Sequence, residues 1–205
     1  MKQDYVHLCV VLDASGSMEW IKEDSKGSFN NLIAEQKKTQ GLTVLDVFQF
    51  SDSVEQIVKD ADLSVYQKDL MGSYNCSGLT ALNDAVCTAI DSIGKKFAAM
   101  DESERPEHVI FAIVTDGCEN ASKEYSLKDV KERIDRQTNE YSWEFIYLAA
   151  NQDELEARKI SRSMGVSSSF SSEDPRMLSD LASKAYCRTV ATARMQKKQD
   201  GGKSK

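Results

Sequence analysis

Asp13, Ser15 and Ser17 stand at alternating positions directly after an apolar run, Val6-His7-Leu8-Cys9-Val10-Val11-Leu12. A carboxylate and two hydroxyls in this spacing offer hard oxygen donors from one short loop. Gly16 is expected to let the backbone fold tightly enough for both hydroxyls to face one ion. Such donors suit Mg2+ or Mn2+, with Ca2+ as an alternative, rather than Zn2+, which prefers Cys and His. Taken alone, the three residues read equally as an ordinary loop with a helix N-cap.

Two further segments supply what this loop lacks. His108-Val109-Ile110-Phe111-Ala112-Ile113-Val114-Thr115-Asp116-Gly117 is a second apolar run of buried-strand length ending in an aspartate and a glycine. Gly78-Leu79-Thr80-Ala81-Leu82-Asn83-Asp84-Ala85 places a threonine in a loop just before a strongly helical stretch. If the two strands are neighbours, Asp13 and Asp116 meet and repel unless a cation or a shared proton neutralises them. Met18, Trp20, Tyr74, Leu79 and Glu119 flank the three loops and are the expected rim. Trp20 reads as an exposed aromatic anchor or as a residue packed inward.

Together, Asp13/Ser15/Ser17, Thr80 and Asp116-Gly117 resemble the metal-ion-dependent adhesion site of the von Willebrand factor type A (vWA) domain family. The likeness covers residues 4 to 190 and departs from the family at Leu79, where many members carry a second glycine before the threonine. The resemblance implies that Ser15, Ser17 and Thr80 give oxygen directly to a divalent ion, while Asp13 and Asp116 act mostly through water or their own hydrogen bonds. It also implies that an Asp or Glu of a protein partner completes the metal, in a binding module rather than an enzyme. Tyr147-Leu148-Ala149-Ala150-Asn151-Gln152-Asp153 is similar to small stand-alone bacterial and phage members.

The elements that must position these residues follow from periodicity and punctuation. A helix is expected from Glu19 to about Gln40, with Ile21, Phe29, Leu32, Ile33 and Gln36 on one face, Gly27 as a break or kink and Gly41 as its stop. Thr43 to Ser51 and Val54 to Val58 read as a hairpin. In the resembled family the second of these strands is the lone antiparallel edge, and Glu55 and Lys59 suit an edge. Leu82, Ala85, Val86, Ala89, Ile90, Ile93 and Phe97 recur at helical spacing between Thr80 and Met100.

Strand 109–115 follows, then a helix from Ser126 to about Asn139 whose start has the form of a capping box with Asp129 in place of Glu. A strand Trp143–Ala149, a helix Asp153–Met164 ending at Gly165, a short strand Val166–Phe170 and a last helix from Pro175 to about Gln196 complete the chain. This alternation predicts a Rossmann-like, doubly wound α/β fold. Its central sheet is mostly parallel, with one antiparallel edge and helices on both faces. Ligands in such sheets bind beyond the strands' C-terminal ends at the switch point, here between the first strand and the one at 109–115.

At 205 residues, 40% apolar and 29% charged, the chain is expected to form one domain over 1–196 with a disordered basic tail, 197–205. A net charge of -7 disfavours nucleic-acid binding, and no stretch is long and apolar enough to span a bilayer. The N-terminus lacks a signal-peptide pattern, and the five cysteines (Cys9, Cys76, Cys87, Cys118, Cys187) form neither a zinc ribbon nor a complete disulfide framework, so a cytoplasmic setting is expected.

A competing reading is a Mg2+-dependent hydrolase or phosphotransferase. The haloacid-dehalogenase pattern would place a second Asp where this chain has Ser15, no phosphate-cradling glycine loop is present, and His7 and His108 both fall in or beside strand runs. The remaining alternative keeps the vWA scaffold with a structural metal or none, the oxygen residues serving as caps and turns.

Overall fold

The computed structural model describes residues 1–37, 41–66, 74–150, 154–166 and 168–172. The expected last helix (Pro175 to Gln196), the tail 197–205, Cys187, the Gln40 end of the first helix and Asn151-Gln152-Asp153 lie outside the described residues.

Six strands, β1 (Lys2–Asp13), β2 (Leu42–Phe50), β3 (Val54–Asp62), β4 (Pro106–Thr115), β5 (Glu144–Ala150) and β6 (Ser168–Ser172), form one sheet in the order β3-β2-β1-β4-β5-β6. Every pairing is parallel except β2 with β3, so β3 is the antiparallel edge, with Glu55 and Lys59 exposed on it. The architecture is the expected mostly parallel α/β sheet. Every residue of β1 from Tyr5 to Asp13 is buried, which is why that strand reads as a continuous apolar run. Its neighbours are β2 on one side and β4 on the other. The chain therefore reverses direction across the sheet between β1 and β4, and the ends of both strands open onto that crevice.

The helices are α1 (Lys22–Lys37), α2 (Leu82–Ala98), α3 (Leu127–Tyr141) and α4 (Glu154–Ser163). On one face, Cys9, Val11, Phe48, Phe111 and Phe145 of the sheet pack with Ala85, Ala89, Ile90, Ile93 and Phe97 of α2, Val130 and Ile134 of α3 and Ala157 of α4. The Trp143 ring stacks on Phe111 at 5.3 Å and meets Phe97 edge-on at 6.0 Å. Truncating Ile90 or Ile93 to Ala would cost about 2–5 kcal/mol by lost burial and the cavity left behind. On the other face, Val6, Leu8, Val10 and Leu12 pack with Phe29 and Ile33 of α1. The Leu32 and Gln36 side chains, expected on the same stripe, lie outside the described set.

Two local expectations are corrected. The segment after Ser15 enters α1 through a 3-10 helix, Gly16–Ile21, rather than starting as an α-helix at Glu19. In a 3-10 helix residues i and i+3 eclipse, so Met18 and Ile21 share the inward side and are 0% and 1% exposed. Gly27 neither breaks nor bounds α1, which runs unbroken through it, and nothing lies within 4 Å of a Cβ built there. At α3 the expected capping box is present: Asp129 N–H donates to Ser126 Oγ, and Ser126 N–H donates to Asp129 Oδ2 at 2.9 Å.

One polar cluster lies within the sheet. His7 Nε2 of β1 is 2.8 Å from Asp46 Oδ2 of β2, and Asp46 also accepts from Lys96 Nζ of α2 at 3.1 Å, Gln56 Nε2 at 2.7 Å and Asp60 N–H at 3.0 Å. Burial pushes the Asp46 carboxyl up, but His7 and Lys96 outweigh it and hold the group below the usual carboxylate range. Burial pushes His7 down despite the neighbouring carboxylate, which favours its neutral form.

Candidate functional site

Asp13 ends β1 fully buried, and both of its oxygens are engaged. Oδ2 accepts from Thr115 Oγ1 at 2.6 Å and Oδ1 from the Ser15 N–H at 2.7 Å. The Ser15 and Ser17 hydroxyls are 3.0 Å apart, and Ser17 Oγ donates to Asp116 Oδ1 at 2.7 Å. A methyl group built on Gly117 would lie 3.5 Å from Thr80 Oγ1 and 3.9 Å from Ser17 Oγ. The fold thus brings Asp13, Ser15, Ser17, Thr80 and Asp116 to one end of the sheet from three separate loops. Position 117 lies beside the Ser17 and Thr80 hydroxyls, and a Cβ there would make only ordinary van der Waals contact with them.

Backbone bonds lock the loops together. Ser77 N–H donates to Ala14 O at 2.8 Å, Gly16 N–H to Gly78 O at 3.1 Å and Ala81 N–H to Ser51 O at 2.9 Å. The tight-turn role expected of Gly16 falls instead to Gly78. Gly78 has φ +79°, and a Cβ on it would stand 1.9 Å from Asp52 Oδ2, whereas a Cβ on Gly16 meets nothing closer than 3.5 Å. Tyr74 Oη donates to the Asp13 carbonyl from below.

The Thr80 loop and the loop after Asp116 are also stitched to each other. Thr80 N–H donates to Asn120 Oδ1 at 2.8 Å, and Asn120 N–H donates back to Thr80 O at 3.0 Å. The N-cap position of α2 is Ala81, which has no side chain to cap with, so the helix's free N–H groups need partners from elsewhere. Glu119 supplies one: its carboxylate accepts from Asn83 N–H at 2.8 Å and from Ala121 N–H, Ser122 N–H and Ser122 Oγ of its own loop. Asp84 returns the arrangement, accepting from the N–H groups of Lys123, Glu124 and Tyr125. Thr115, Asn120 and Asp84 were not singled out from the sequence. Only Thr115 carried a signal, as a polar residue closing a buried strand beside Asp116.

The expected rim divides in two. Trp20 and Leu79 are 56% and 54% exposed, whereas Met18 and Tyr74 are buried, at 0% and 2%. Met18 and Tyr74 therefore support the loops from beneath and offer nothing to a partner. Glu119 is half-buried, with both carboxylate oxygens taken by the α2 cap and its own loop. Cys118 is exposed, and Cys9, Cys76, Cys87 and Cys118 are all free thiols.

Burial pushes the Asp13 carboxyl up against the pull of Thr115 and Ser15, and the nearby Asp116 charge adds to the rise. Burial likewise raises Asp116, opposed by Ser17. Two carboxyls raised together beside three hydroxyls make a donor set that a cation would stabilise. Among the described residues no group of three or more His, Cys, Asp or Glu converges to hold a metal, so a cation here would depend on hydroxyl oxygens as much as on carboxylates.

No family model matches the sequence, and no curated protein matches it. Solved structures do match the fold. The D319A mutant of the PilB minor pilin from Streptococcus sanguinis aligns over 98% of this chain and 63% of its own, with a TM-score of 0.64 and 12% identity. The von Willebrand factor type A structure from Catenulispora acidiphila aligns over 92% of this chain and 42% of its own, with a TM-score of 0.61 and 15% identity. Proximal thread matrix protein 1 from the mussel byssus, with a zinc-occupied MIDAS motif, aligns over 86% of this chain and 46% of its own, with a TM-score of 0.60 and 13% identity. The chain spans less than two thirds of the length of each of these neighbours. At such identities the likeness is one of architecture: the chain has a von Willebrand factor type A-like fold, with its candidate site at the switch-point end of the sheet.

Proposed function

We propose that this chain is a non-catalytic, divalent-cation-dependent protein-interaction module. Ser15, Ser17 and Thr80 would hold the ion directly, Asp13 and Asp116 would orient those hydroxyls and balance charge, and a partner's Asp or Glu would complete the site. The observation that carries this reading is the hydrogen-bonded chain from Thr115 through Asp13, Ser15 and Ser17 to Asp116, with Thr80 Oγ1 facing the same space above Gly117. Such a set is rigid and oxygen-only, which favours Mg2+ or Mn2+ on chemical grounds. That one neighbour of the same fold has a zinc-occupied MIDAS motif supports a divalent ion at this position. When bound, the ion would supply the positive charge that a partner carboxylate needs in order to approach two aspartates.

The residues supplied by this chain have positioning work to do. Thr115 and the Ser15 N–H fix both Asp13 oxygens, so Asp13 is not free to swing toward a substrate. Ser17 is aimed by Asp116. His7 lies within β1 beside Asp46, six positions before Asp13, and is engaged there rather than at these hydroxyls.

The test is a thermal melt of EDTA-treated protein with and without millimolar Mg2+ or Mn2+, in the wild type and in Asp13→Ala. An ion at 100 times its Kd stabilises by about 2.7 kcal/mol, a readable shift in Tm. A shift in the wild type that disappears in Asp13→Ala supports the reading. No shift, with no Mn2+ bound by electron paramagnetic resonance, refutes it.

A further inference from the structure

We propose that the partner presents a single carboxylate next to a bulky apolar side chain, and that Trp20 and Leu79 receive that side chain. This rests on the cation-dependent reading above and adds the chemistry of the partner to it.

The argument begins with the 3-10 helix Gly16–Ile21. Its eclipsed register sets Met18 over Ile21 on the buried side and Ser17 over Trp20 on the other, one turn and about 6 Å apart along the axis. Trp20 is thus held on the same side of the element as the Ser17 hydroxyl. Leu79 adjoins Thr80, in a loop fastened to the Ser15 loop by the Ser77–Ala14 and Gly16–Gly78 backbone bonds. Two large apolar side chains, each more than half exposed, therefore stand on the same two loops as the Ser17 and Thr80 hydroxyls, Trp20 one 3-10 turn after Ser17 and Leu79 next in sequence to Thr80. Single exposed apolar residues need no explanation, but a pair beside one polar cluster has the make-up of an interface hot spot: an aromatic and an aliphatic anchor around a charged centre.

Charge narrows the partner further. Glu19 and Asp52, both exposed, flank these loops, Glu19 between Ser17 and Trp20 in sequence and Asp52, in the β2–β3 turn, against Gly78. A run of acidic residues would meet these two carboxylates as well as the cation. A lone Asp or Glu in an apolar setting avoids that repulsion and buries Trp20 and Leu79.

The experiment selects from a random heptapeptide display library with the full chain in Mn2+ and in EDTA. The selected peptides are then titrated against the wild type, Trp20→Ala, Leu79→Ala and Trp20→Phe. Each protein's Mn2+ affinity is measured alongside, so that peptide binding is compared at equal metal load. The expected result is Mn2+-dependent enrichment of one acidic residue beside Leu, Ile, Phe, Met or Trp. Affinity should fall about tenfold in each alanine variant and largely persist in Trp20→Phe. Enrichment of acidic peptides without an apolar neighbour, enrichment of acidic runs, or no selection by protein that binds Mn2+ overturns this inference alone. Failure of the wild type to bind Mn2+ overturns the underlying reading and this inference with it.

Discussion

Thr80 and Asn120 exchange two hydrogen bonds, Thr80 N–H to Asn120 Oδ1 at 2.8 Å and Asn120 N–H to Thr80 O at 3.0 Å. The pair ties the loop before α2 to the loop after β4 immediately beside the candidate cation position. Asn120 touches no proposed ligand oxygen, so its effect on the site is through the placement of Thr80. Outer partners of this kind are worth about 10- to 100-fold in metal affinity. Asn120→Ala should weaken Mn2+ binding by at least about tenfold, with Asn120→Asp, which keeps an acceptor oxygen, recovering part of it. A folded Asn120→Ala protein with wild-type Mn2+ affinity would show that Thr80 does not need this brace.

Glu119 belongs to the same seam but acts on stability. It satisfies the Asn83 N–H at the start of α2, where Ala81 cannot, and its negative charge suits a helix N-terminus. Glu119→Ala leaves that amide and those of Ala121 and Ser122 without their acceptor, at a cost of about 1–3 kcal/mol. Glu119→Gln keeps an acceptor and should lose less. Urea unfolding of the three proteins decides it, and equal midpoints would mean that water replaces the cap without loss.

Gly78 offers a sharper test of the loop geometry. Its φ of +79° strains any other residue, and a Cβ there would overlap Asp52 Oδ2. Gly78→Ala should destabilise by about 1–3 kcal/mol. Adding Asp52→Ala removes the overlap but leaves the backbone strain, so the double variant should recover only part of the loss. Full recovery would assign the whole effect to the clash, and no loss in the single variant would contradict the turn described here.

These residues also mark how far the sequence could be read. Asp13, Ser15, Ser17 and Asp116 stand out because oxygen-bearing residues at or just after the end of a continuous apolar run fit the end of a buried parallel strand, and the sheet's switch point then brings two such ends together. The β2–β3 hairpin and the α3 capping box were legible because each depends on neighbours in sequence, whereas β3 as the lone antiparallel edge was what the family resemblance implied. Met18 and Tyr74 were misplaced on the rim because burial of Met18 follows from three-residue periodicity in a 3-10 helix, and that of Tyr74 from a contact to Asp13 O across 61 positions. Gly16 was credited with a role that belongs to Gly78, because the positive φ that calls for a glycine is a property of the folded loop and leaves no mark in the sequence. Asn120 and Asp84 gave no signal at all: both are ordinary polar residues whose partners lie about 40 positions away.

The His7–Asp46 contact carries a prediction about pH. Burial lowers the His7 pKa in the fold and favours its neutral form, while in the unfolded chain it titrates at about 6.5. Between its folded value and about 6.5 the unfolded state holds one more proton, so stability falls as the pH falls through that window, by up to about 1.4 kcal/mol per pH unit. Asp46 has the opposite reference: its folded pKa is depressed, so its contribution is intact above about pH 3.9 and is lost only as the pH drops through its lower folded value. Of these two groups, the slope just below about pH 6.5 therefore belongs to the histidine. The raised carboxyls of Asp13 and Asp116 contribute equally to wild type and variant and cancel in a difference. His7→Gln, which can still offer an N–H to Asp46, should flatten urea-derived stability across this range relative to wild type. Parallel curves for the two proteins would mean that His7 takes up its proton in the folded state as readily as in the unfolded one, with Asp46 close enough to stabilise the charge in the core.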